Sequence, residues 1–377
     1  MATSSLQRSY LPLIVGAVVA LGACGSSGGT ASGTASGSAS NPSAQAAVQT
    51  TKTYTDHPSP FPVDAPLPRR LPPGTNFGFL QCVAPVCAQL AGLITEAVKV
   101  LHGNLTVVKA GPSAQQLQSA MSSLLEKKPT ALILPAIQPA LVRPQLQQAQ
   151  AAGIPISSTG IMDTQPYGID ASAFGKPLSE LAGKLQADWV VANKGVKNKI
   201  VFYTTKELDF FPPEEAAFRA ELKTVGCDCS VRTVDIPIST YGSSAPSLVV
   251  SDLQSHPDTT IAVFGANDPT TGLVAAMRGA GLKTPYIGYG PTPSNLVDIT
   301  NHSQPAGLGL DYPVLGWTLV DEAARLILKA PLSAQEQQSF VPTQWLTADN
   351  LQGADISKGW TGYPDYVSRF TKLWTVQ

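Results

Sequence analysis

Residue types that could support catalysis are present in the chain, but their spacing matches no catalytic arrangement. No histidine sits in an H-E-x-x-H or other metal-ligand spacing, and the four are scattered: His57, His102, His256 and His302. Outside GSSGG at 25–29, in a Gly/Ser-rich stretch, the chain has no G-x-S-x-G sequence, and the Gly-Lys pair at 175–176 precedes proline, where a phosphate loop needs Ser or Thr. The G-x-G fragments at 288–290 and 307–309 lack a third glycine. We therefore expect no enzyme, no cofactor and no metal, and an exported enzyme is the less favoured alternative.

Short apolar runs alternate with segments of helical periodicity from Asn76 onward. NFGFL, LTVVKA, ALILP and IPIS alternate with amphipathic helices, and KIVFYT, SVRTVDI, TTIAVFG and PYIGYG repeat the scheme. Continuous apolar strands between such helices indicate parallel sheets covered on both faces. Further helices are expected over 175–193, 269–280 and 315–328. The sequence therefore predicts an α/β protein with two similar lobes, and ligands of such sheets bind beyond the carboxyl ends of the strands.

Four cysteines, besides Cys24, fall in two close pairs: Cys82 with Cys87 and Cys227 with Cys229. Four cysteines allow three pairings, but the two pairs lie in different predicted lobes, which favours local disulfides in an oxidising compartment. A zinc site shared by C-x4-C and C-x-C is an alternative, although no histidine accompanies either pair. Free thiols are expected if the chain is not exported.

The N-terminus reads as an export signal followed by a linker. Residues 1–23 contain an apolar run that is too short to span a bilayer but has the length of a signal-peptide core. LGAC, ending at Cys24, resembles the bacterial lipobox, in which the cysteine becomes the lipidated first residue; a plain secretory signal is the alternative. Residues 24–74 are rich first in Gly and Ser and then in Pro, which predicts a disordered, lipid-anchored linker. The folded domain is expected over 75–377.

Three stretches of that domain resemble the type I periplasmic solute-binding proteins, the ribose-like branch that serves ABC transporters. They are AAGIPISSTG, FGANDPTTGLVAAMRGAGLKTPYIGYG and LGLDYPVLGWTLVDEAARLIL. The resemblance implies two Rossmann-like lobes with parallel sheets, joined by a three-segment hinge and closing around a small ligand. The expected N-lobe spans about 75–170 plus 312–345, and the expected C-lobe about 171–311 plus 346–377.

The chain departs from the sugar-binding members at four places in the expected cleft, one of which is Glu214, near the position of an expected arginine. Ala84-Pro85-Val86-Cys87 replaces the aromatic residues that stack on a sugar. Gly160-Ile161 replaces an Asp-Arg pair, and Gly290 replaces an aspartate. These departures argue against a pentose or hexose held in the family's usual way.

Two polar pairs match positions at which the resemblance implies ligand contacts. Asn267 and Asp268 match the family's Asn-Asp pair, and Asp311 and Tyr312 stand where the chain crosses back between lobes. Asp268 has an alternative role as the N-cap of a helix that begins at Pro269. For Asp311, the alternative is a hinge residue bonded to backbone amides.

Aromatic side chains on loops after second-lobe strands could take over the stacking that the first lobe lacks. These are Phe210, Phe211 and Tyr241, for which packing in the core is the alternative role. Further candidate ligand contacts are Gln81, Asp163 and Arg219.

The expected function is that of an extracytoplasmic solute-binding lipoprotein, which captures a small polar, sugar-like ligand and delivers it to an ABC permease. A binding protein that signals to a membrane receptor is the alternative. The expected location is the outer face of the bacterial cytoplasmic membrane, with the chain anchored in the bilayer through acylated Cys24. A net charge of −1 and a charged fraction of 14% argue against nucleic acid as a partner. A DNA-binding relative is also disfavoured, since the linker offers no helix-turn-helix.

Overall fold

The computed structural model describes residues 42–374, which begin with helix α1 (Pro42–Asp56) and continue into a five-stranded sheet. All neighbours in this sheet are parallel, in the order β2-β1-β3-β4-β5. Its strands are β1 (Asn76–Gln81), β2 (Asn104–Lys109), β3 (Ala131–Leu134), β4 (Ile156–Ser158) and β5 (Ala171–Ser172). The connecting helices are α2 (Pro85–Val100), α3 (Ala114–Glu126) and α4 (Arg143–Ala151). This is the N-lobe.

A second sheet repeats the construction. Its four strands are parallel in the order β7-β6-β8-β9. They are β6 (Lys199–Thr204), β7 (Ser230–Asp235), β8 (Ile261–Phe264) and β9 (Tyr286–Gly288). The helices of this C-lobe are α5 (Lys176–Lys194), α6 (Phe211–Thr224), α7 (Ala245–Ser255), α8 (Leu273–Gly279) and α9 (Pro293–Thr300). The predicted α/β class with two parallel sheets is confirmed.

Local sequence explains why these elements form where they do. Every residue of β3 and β8 is buried, as expected for strands covered on both faces. Ser113 begins α3 with a capping box, in which its side chain accepts from Gln116 N while Gln116 bonds back to the Ser113 backbone. The single helix predicted over 269–280 is instead a short turn followed by α8, because Gly272 between them has φ +84°.

Within residues 76–346, three segments of the chain cross between the lobes. The first leads from β5 into α5, and the second joins β10 (Gly307–Leu310) to α10 (Tyr312–Leu328), which packs on α2, β3 and β4 of the N-lobe. The third returns the chain to β11 (Thr343–Leu346), antiparallel to β10. Asp311 N donates to Pro342 O at 3.0 Å, so the second and third segments run side by side.

The lobe boundaries differ from the predicted ones in two places. Residues 343–345, predicted in the N-lobe, belong to β11, which pairs with β10, and β10 adjoins the second sheet through a bridge between Leu308 and Tyr289. Helix α11 (Tyr366–Leu373), predicted in the C-lobe, packs on α10 of the N-lobe. Trp374, just after α11, stacks on Trp317 of α10 with ring centroids 5.1 Å apart, and burial of these rings fixes the position of the helix.

The prediction of a disordered linker is wrong for residues 42–74. Helix α1 packs against α5 and β11, and its Ala44 and Ala47 are buried. The following segment buries Val63 and Leu67, and Leu67 N donates to Leu373 O at 2.7 Å. This contact with α11 and the buried aliphatic side chains supply the stabilisation that a free linker lacks. The part of the predicted linker before residue 42, the predicted signal peptide of residues 1–23 and Cys24 lie outside the described residues.

A buried ionic network connects α10 with three other parts of the chain. Arg325 Nε lies 2.5 Å from Asp321 Oδ2 and 3.3 Å from Glu336 Oε2. Its guanidinium also donates to Ala65 O in the N-terminal segment. Trp374 Nε1 donates to the other Asp321 oxygen. The network therefore fixes the N-terminal segment, the loop after α10 and the end of α11 to the N-lobe.

Candidate functional site

A cavity lies between the lobes, beyond the carboxyl ends of strands of both sheets. The cavity has a volume of about 80 Å³. Its N-lobe lining includes Cys82, Ala84, Val86, Cys87, Leu90, Pro135, Ala136, Thr159 and Gly160. Its C-lobe lining includes Leu208, Phe210, Ile238, Tyr241, Gly265, Ala266, Asp268 and Tyr289. Phe174, Leu310, Tyr312 and Leu315, at or next to the crossing segments, complete the wall. Because both lobes contribute, a molecule held here would contact both.

Aromatic rings form much of the wall. Phe174 lies with its ring centroid 5.4 Å from that of Phe210 and 5.8 Å from that of Tyr289. Phe211 stacks behind Phe210 at 4.5 Å and supports it from the core. Such rings offer flat apolar faces to a ligand.

Asp268 is the carboxyl group on the cavity wall, and it bonds across the lobes. Its Oδ1 accepts a hydrogen bond from Val86 N, in the first turn of α2, at 3.1 Å. The expected cap on the helix after Pro269 is absent, since the chain forms only a short turn there with no side-chain cap. Asp268 instead caps a helix of the other lobe. Burial raises the pKa of Asp268 to about 6, and the bond from Val86 opposes this rise.

Three tyrosine hydroxyl groups lie around the cavity. The Tyr241 hydroxyl bonds to Thr205 Oγ1 at 2.5 Å, and the Tyr312 hydroxyl donates to Gly290 O at 3.3 Å. The Tyr289 hydroxyl is buried and has no hydrogen-bond partner among the described residues. Burial raises the pKa of Tyr289 well above its ordinary value, so the group is a neutral phenol at physiological pH. It can donate to a bound molecule.

A disulfide between Cys82 and Cys87 holds the loop that follows β1, and both cysteines line the cavity. Cys227 is bonded to Cys229 in the C-lobe. These are the two local pairings that the sequence favoured. Within residues 42–374 no three His, Cys, Asp or Glu side chains are grouped so that they could hold a metal ion.

Comparison with known families identifies the architecture. The family model described as the periplasmic binding protein domain matches residues 85–331. The chain belongs to the periplasmic binding protein family. No curated protein matches the sequence of this periplasmic binding protein.

Solved structures of this architecture share the fold of this periplasmic binding protein at low sequence identity. A subunit of an ABC sugar transporter from Rhodobacter sphaeroides has a TM-score of 0.63 and 18% identity, over 74% of this chain and 99% of that one. An ABC transporter periplasmic solute-binding protein from Actinobacillus succinogenes with bound D-allose has a TM-score of 0.63 and 17% identity, over 75% and 100%. A solute-binding protein from Agrobacterium vitis bound with alpha-D-tagatopyranose has a TM-score of 0.63 and 13% identity, over 74% and 96%.

Four of the candidate ligand contacts come together on the cavity wall of this periplasmic binding protein: Asp268, Tyr312, Phe210 and Tyr241. Phe211 lies one layer behind, packed on Phe210. The positions agree with the rule that ligand-contacting loops follow the carboxyl ends of parallel strands.

Two other candidates are buried next to the cavity and bonded to the protein. The Asn267 amide donates to Thr270 Oγ1 and Gln304 Oε1, which fixes the loop before Asp268. Asp311 caps α10 by accepting from Val314 N, and its other oxygen accepts from Thr361 Oγ1 and Gly362 N. Burial raises the pKa of Asp311 to about 7, against the effect of these three bonds. Asp311 thus makes the backbone bonds expected of a hinge residue.

The remaining candidates do not line the cavity. Gln81 ends β1 and is half-buried, and Asp163 is exposed on the loop after β4. Arg219 pairs with Glu215 at 2.8 Å and donates to Thr233 Oγ1 on β7.

Sequence reasoning missed two aromatic members of the wall. Tyr289 directly follows β9, so its position after a strand was a usable signal. Phe174 lies in the first crossing segment, where the local sequence carries no sign that it faces the cavity.

Proposed function

We propose that this protein is an extracytoplasmic solute-binding protein that captures a small molecule between its lobes and delivers it to an ABC-type permease. The observation that carries the proposal is the interlobe cavity, whose wall combines loops of both sheets with two of the crossing segments. Membership of a family of binding proteins supports a role in binding rather than in catalysis.

The mechanism is a population shift between open and closed lobes. Hydrogen bonds between described residues cross from lobe to lobe, among them Val86 N to Asp268 Oδ1 at 3.1 Å and Gln138 Nε2 to Lys206 O at 3.4 Å. Such bonds, and any ligand contacts made to both walls at once, exist only when the lobes are together. A ligand therefore stabilises closure by the free energy of the contacts that the open form lacks. The closed form would be the one that the permease receives.

We further propose that Cys24 is lipidated after cleavage of the signal peptide over residues 1–23. The apolar run and the LGAC sequence support this proposal. None of the helices described between Pro42 and Trp374 is long and apolar enough to cross a membrane. Mass spectrometry of membrane fractions is expected to find a mature chain that begins at diacylated Cys24. A mature chain that is cleaved elsewhere would contradict the anchor.

The binding role is tested with a variant that fills the cavity. Ala266 lines the cavity, whereas Ala220 is exposed on α6. The full chain is screened against sugars, polyols, amino acids, amines and aromatic acids by thermal shift, and hits are followed by small-angle scattering. We expect at least one solute to raise the melting temperature and to compact the protein, with Ala266→Phe abolishing both effects and Ala220→Phe preserving them. If no solute binds, or if Ala266→Phe binds as well as the unchanged chain, the binding role fails.

Delivery is tested separately with the permease. The ligand-loaded chain is expected to bind the permease complex in proteoliposomes and to stimulate its ATPase activity, and the Ala266→Phe chain is not. Stimulation by neither form would leave the chain a binding protein with no transport role.

A further inference from the structure

The ionisable groups on the cavity wall carry no positive charge. None of the described residues that line it is Lys, Arg or His, and Asp268 is the carboxyl group among them. With its pKa near 6, Asp268 is ionised at pH 7, although it is only 4% exposed. A ligand carboxylate or phosphate would therefore meet a like charge and no counter-charge, which disfavours anions.

The wall also offers few hydrogen-bonding groups to a polyol. The hydroxyls of Tyr241 and Tyr312 already bond to Thr205 and Gly290, and the other side-chain polar groups among the described lining residues are Asp268 and the hydroxyls of Tyr289 and Thr159. A sugar that enters such a site leaves several of its hydroxyls without partners, and each buried unpaired hydroxyl costs about 1–3 kcal/mol.

Aromatic rings line the same cavity as the Asp268 carboxylate. Phe174, Phe210 and Tyr289 form one contiguous wall. Tyr241 and Tyr312 lie close enough to Asp268 that its charge adds to the effect of burial in raising the pKa of both phenols. The negative face of an aromatic ring attracts an organic cation, and the attraction grows when the site is desolvated.

A second carboxyl lies one layer behind the wall. Both oxygens of Glu214 are buried without a hydrogen-bond partner in the described part of the chain. Glu214 Oε2 lies 3.1 Å from the point that a Cβ on Gly265 would occupy, and Gly265 lines the cavity. Burial raises the pKa of Glu214 well above its ordinary value. A cation in the cavity would favour ionisation of Glu214 and would then be attracted by two carboxylates instead of one.

We propose that the cavity selects a small organic ammonium ion, with its charge beside Asp268 and its carbon substituents against the aromatic rings. This inference rests on the proposed function and names the ligand class of the same site. The ring wall binds the apolar body, and the carboxylate distinguishes the cation from a neutral molecule of the same shape.

The test uses pairs of probes that differ in charge and hardly in shape. The first pair is choline and 3,3-dimethylbutan-1-ol; the second is phenethylamine and phenethyl alcohol. Binding to the full chain carrying Cys24→Ser, which cannot be acylated, is measured by calorimetry at pH 7. We expect the ammonium member of at least one pair to bind at least tenfold more tightly than its neutral partner.

Isosteric variants assign the preference to the carboxyl groups. Asp268→Asn is expected to remove the tenfold preference, and Glu214→Gln to reduce it. The matched control is Asp258→Asn, an exposed carboxylate that pairs with Lys199 at the opposite end of β6. If Asp268→Asn does not fold, the proposed preference for ammonium ions is still tested by the probe pairs on the unchanged chain and by the Glu214→Gln variant.

Three results are possible, and each has a distinct meaning. Charge-dependent binding that Asp268→Asn abolishes supports the proposal. Equal binding within each pair, or binding of sugars with no binding of ammonium ions, overturns the ligand class and leaves the proposed binding function intact. Binding of no solute in the wider thermal-shift screen overturns both.

Discussion

Replacing Arg325 with methionine tests the view that a buried ionic network fastens the chain ends to the N-lobe. The Arg325 side chain is 2% exposed and those of its partners Asp321 and Glu336 are both 0% exposed. Methionine is similar in length and keeps the apolar part of the packing, but it removes the charge and every donated hydrogen bond. The carbonyl of Ala65 in the N-terminal segment then loses its donor.

The expected loss follows from what remains buried. Removing one partner of a buried ion pair typically costs about 3–5 kcal/mol, because the other charge is left uncompensated. Here two carboxyls remain, and burial together with the neighbouring Asp321 raises the pKa of Glu336, so one of them takes up a proton. We therefore expect a loss of about 3–5 kcal/mol at pH 7 rather than twice that amount.

The assay is equilibrium urea unfolding of the full chain at pH 7, followed by circular dichroism. The control is Arg219→Met, which removes a guanidinium that is 38% exposed and pairs with Glu215. An exposed pair of this kind contributes about 0–1 kcal/mol. The reasoning is refuted if Arg325→Met costs no more than Arg219→Met.

Three further predictions concern the N-terminal segment, Glu322 and the Cys82–Cys87 disulfide. Deleting residues 42–74 should lower the free energy of unfolding by at least about 3 kcal/mol, because the buried side chains of Val63 and Leu67 are lost together with α1. An unchanged midpoint of urea unfolding would support the original prediction of a disordered linker. Burial raises the pKa of Glu322 to about 8, although a hydrogen bond from Ser157 opposes this rise. Between about pH 4.5 and pH 8 the folded chain therefore holds a proton that the unfolded chain releases. The free energy of unfolding falls as the pH rises through this range. Glu322→Gln cannot titrate, and from pH 5 to pH 8 it should gain about 3 kcal/mol relative to the unchanged chain in urea unfolding; parallel pH profiles would contradict this. Replacing Cys82 and Cys87 together with alanine should cost about 2 kcal/mol and weaken ligand binding at the loop they hold, as calorimetry would show; unchanged affinity would mean that the disulfide only stabilises the fold.

The linker shows where composition misleads. The stretch from residue 42 to residue 74 contains Ala, Thr, Gln and Pro, with few large apolar residues, and its composition is that of a disordered segment. Its order comes from surfaces made elsewhere in the chain, on α5, β11 and α11. A pattern confined to the segment holds no information about those surfaces.

Asp268 shows the same limit at the site. The sequence Asp-Pro before an apolar segment predicts a local N-cap. The structure uses the carboxylate to cap α2, whose first turn lies 182 residues away in the chain and in the other lobe. The local sequence predicts that the Asp268 carboxylate, a hydrogen-bond acceptor, follows a strand. Which donor bonds to it depends on how the two lobes pack together.

The sequence by itself determined the alternation of strands and helices, the two parallel sheets and the loops on which a ligand site would lie. These features follow from hydrophobic periodicity and strand order, which are properties of neighbouring residues. The local cysteine pairs belong with them, because so few residues separate their partners. Tertiary structure alone decided that the wall is aromatic and free of cationic side chains over its described residues, that Phe174 and Tyr289 meet there, and that the N-terminal segment is folded. Those outcomes depend on which distant surfaces come within a few ångströms of each other when the lobes close, and no periodicity along the chain encodes that distance.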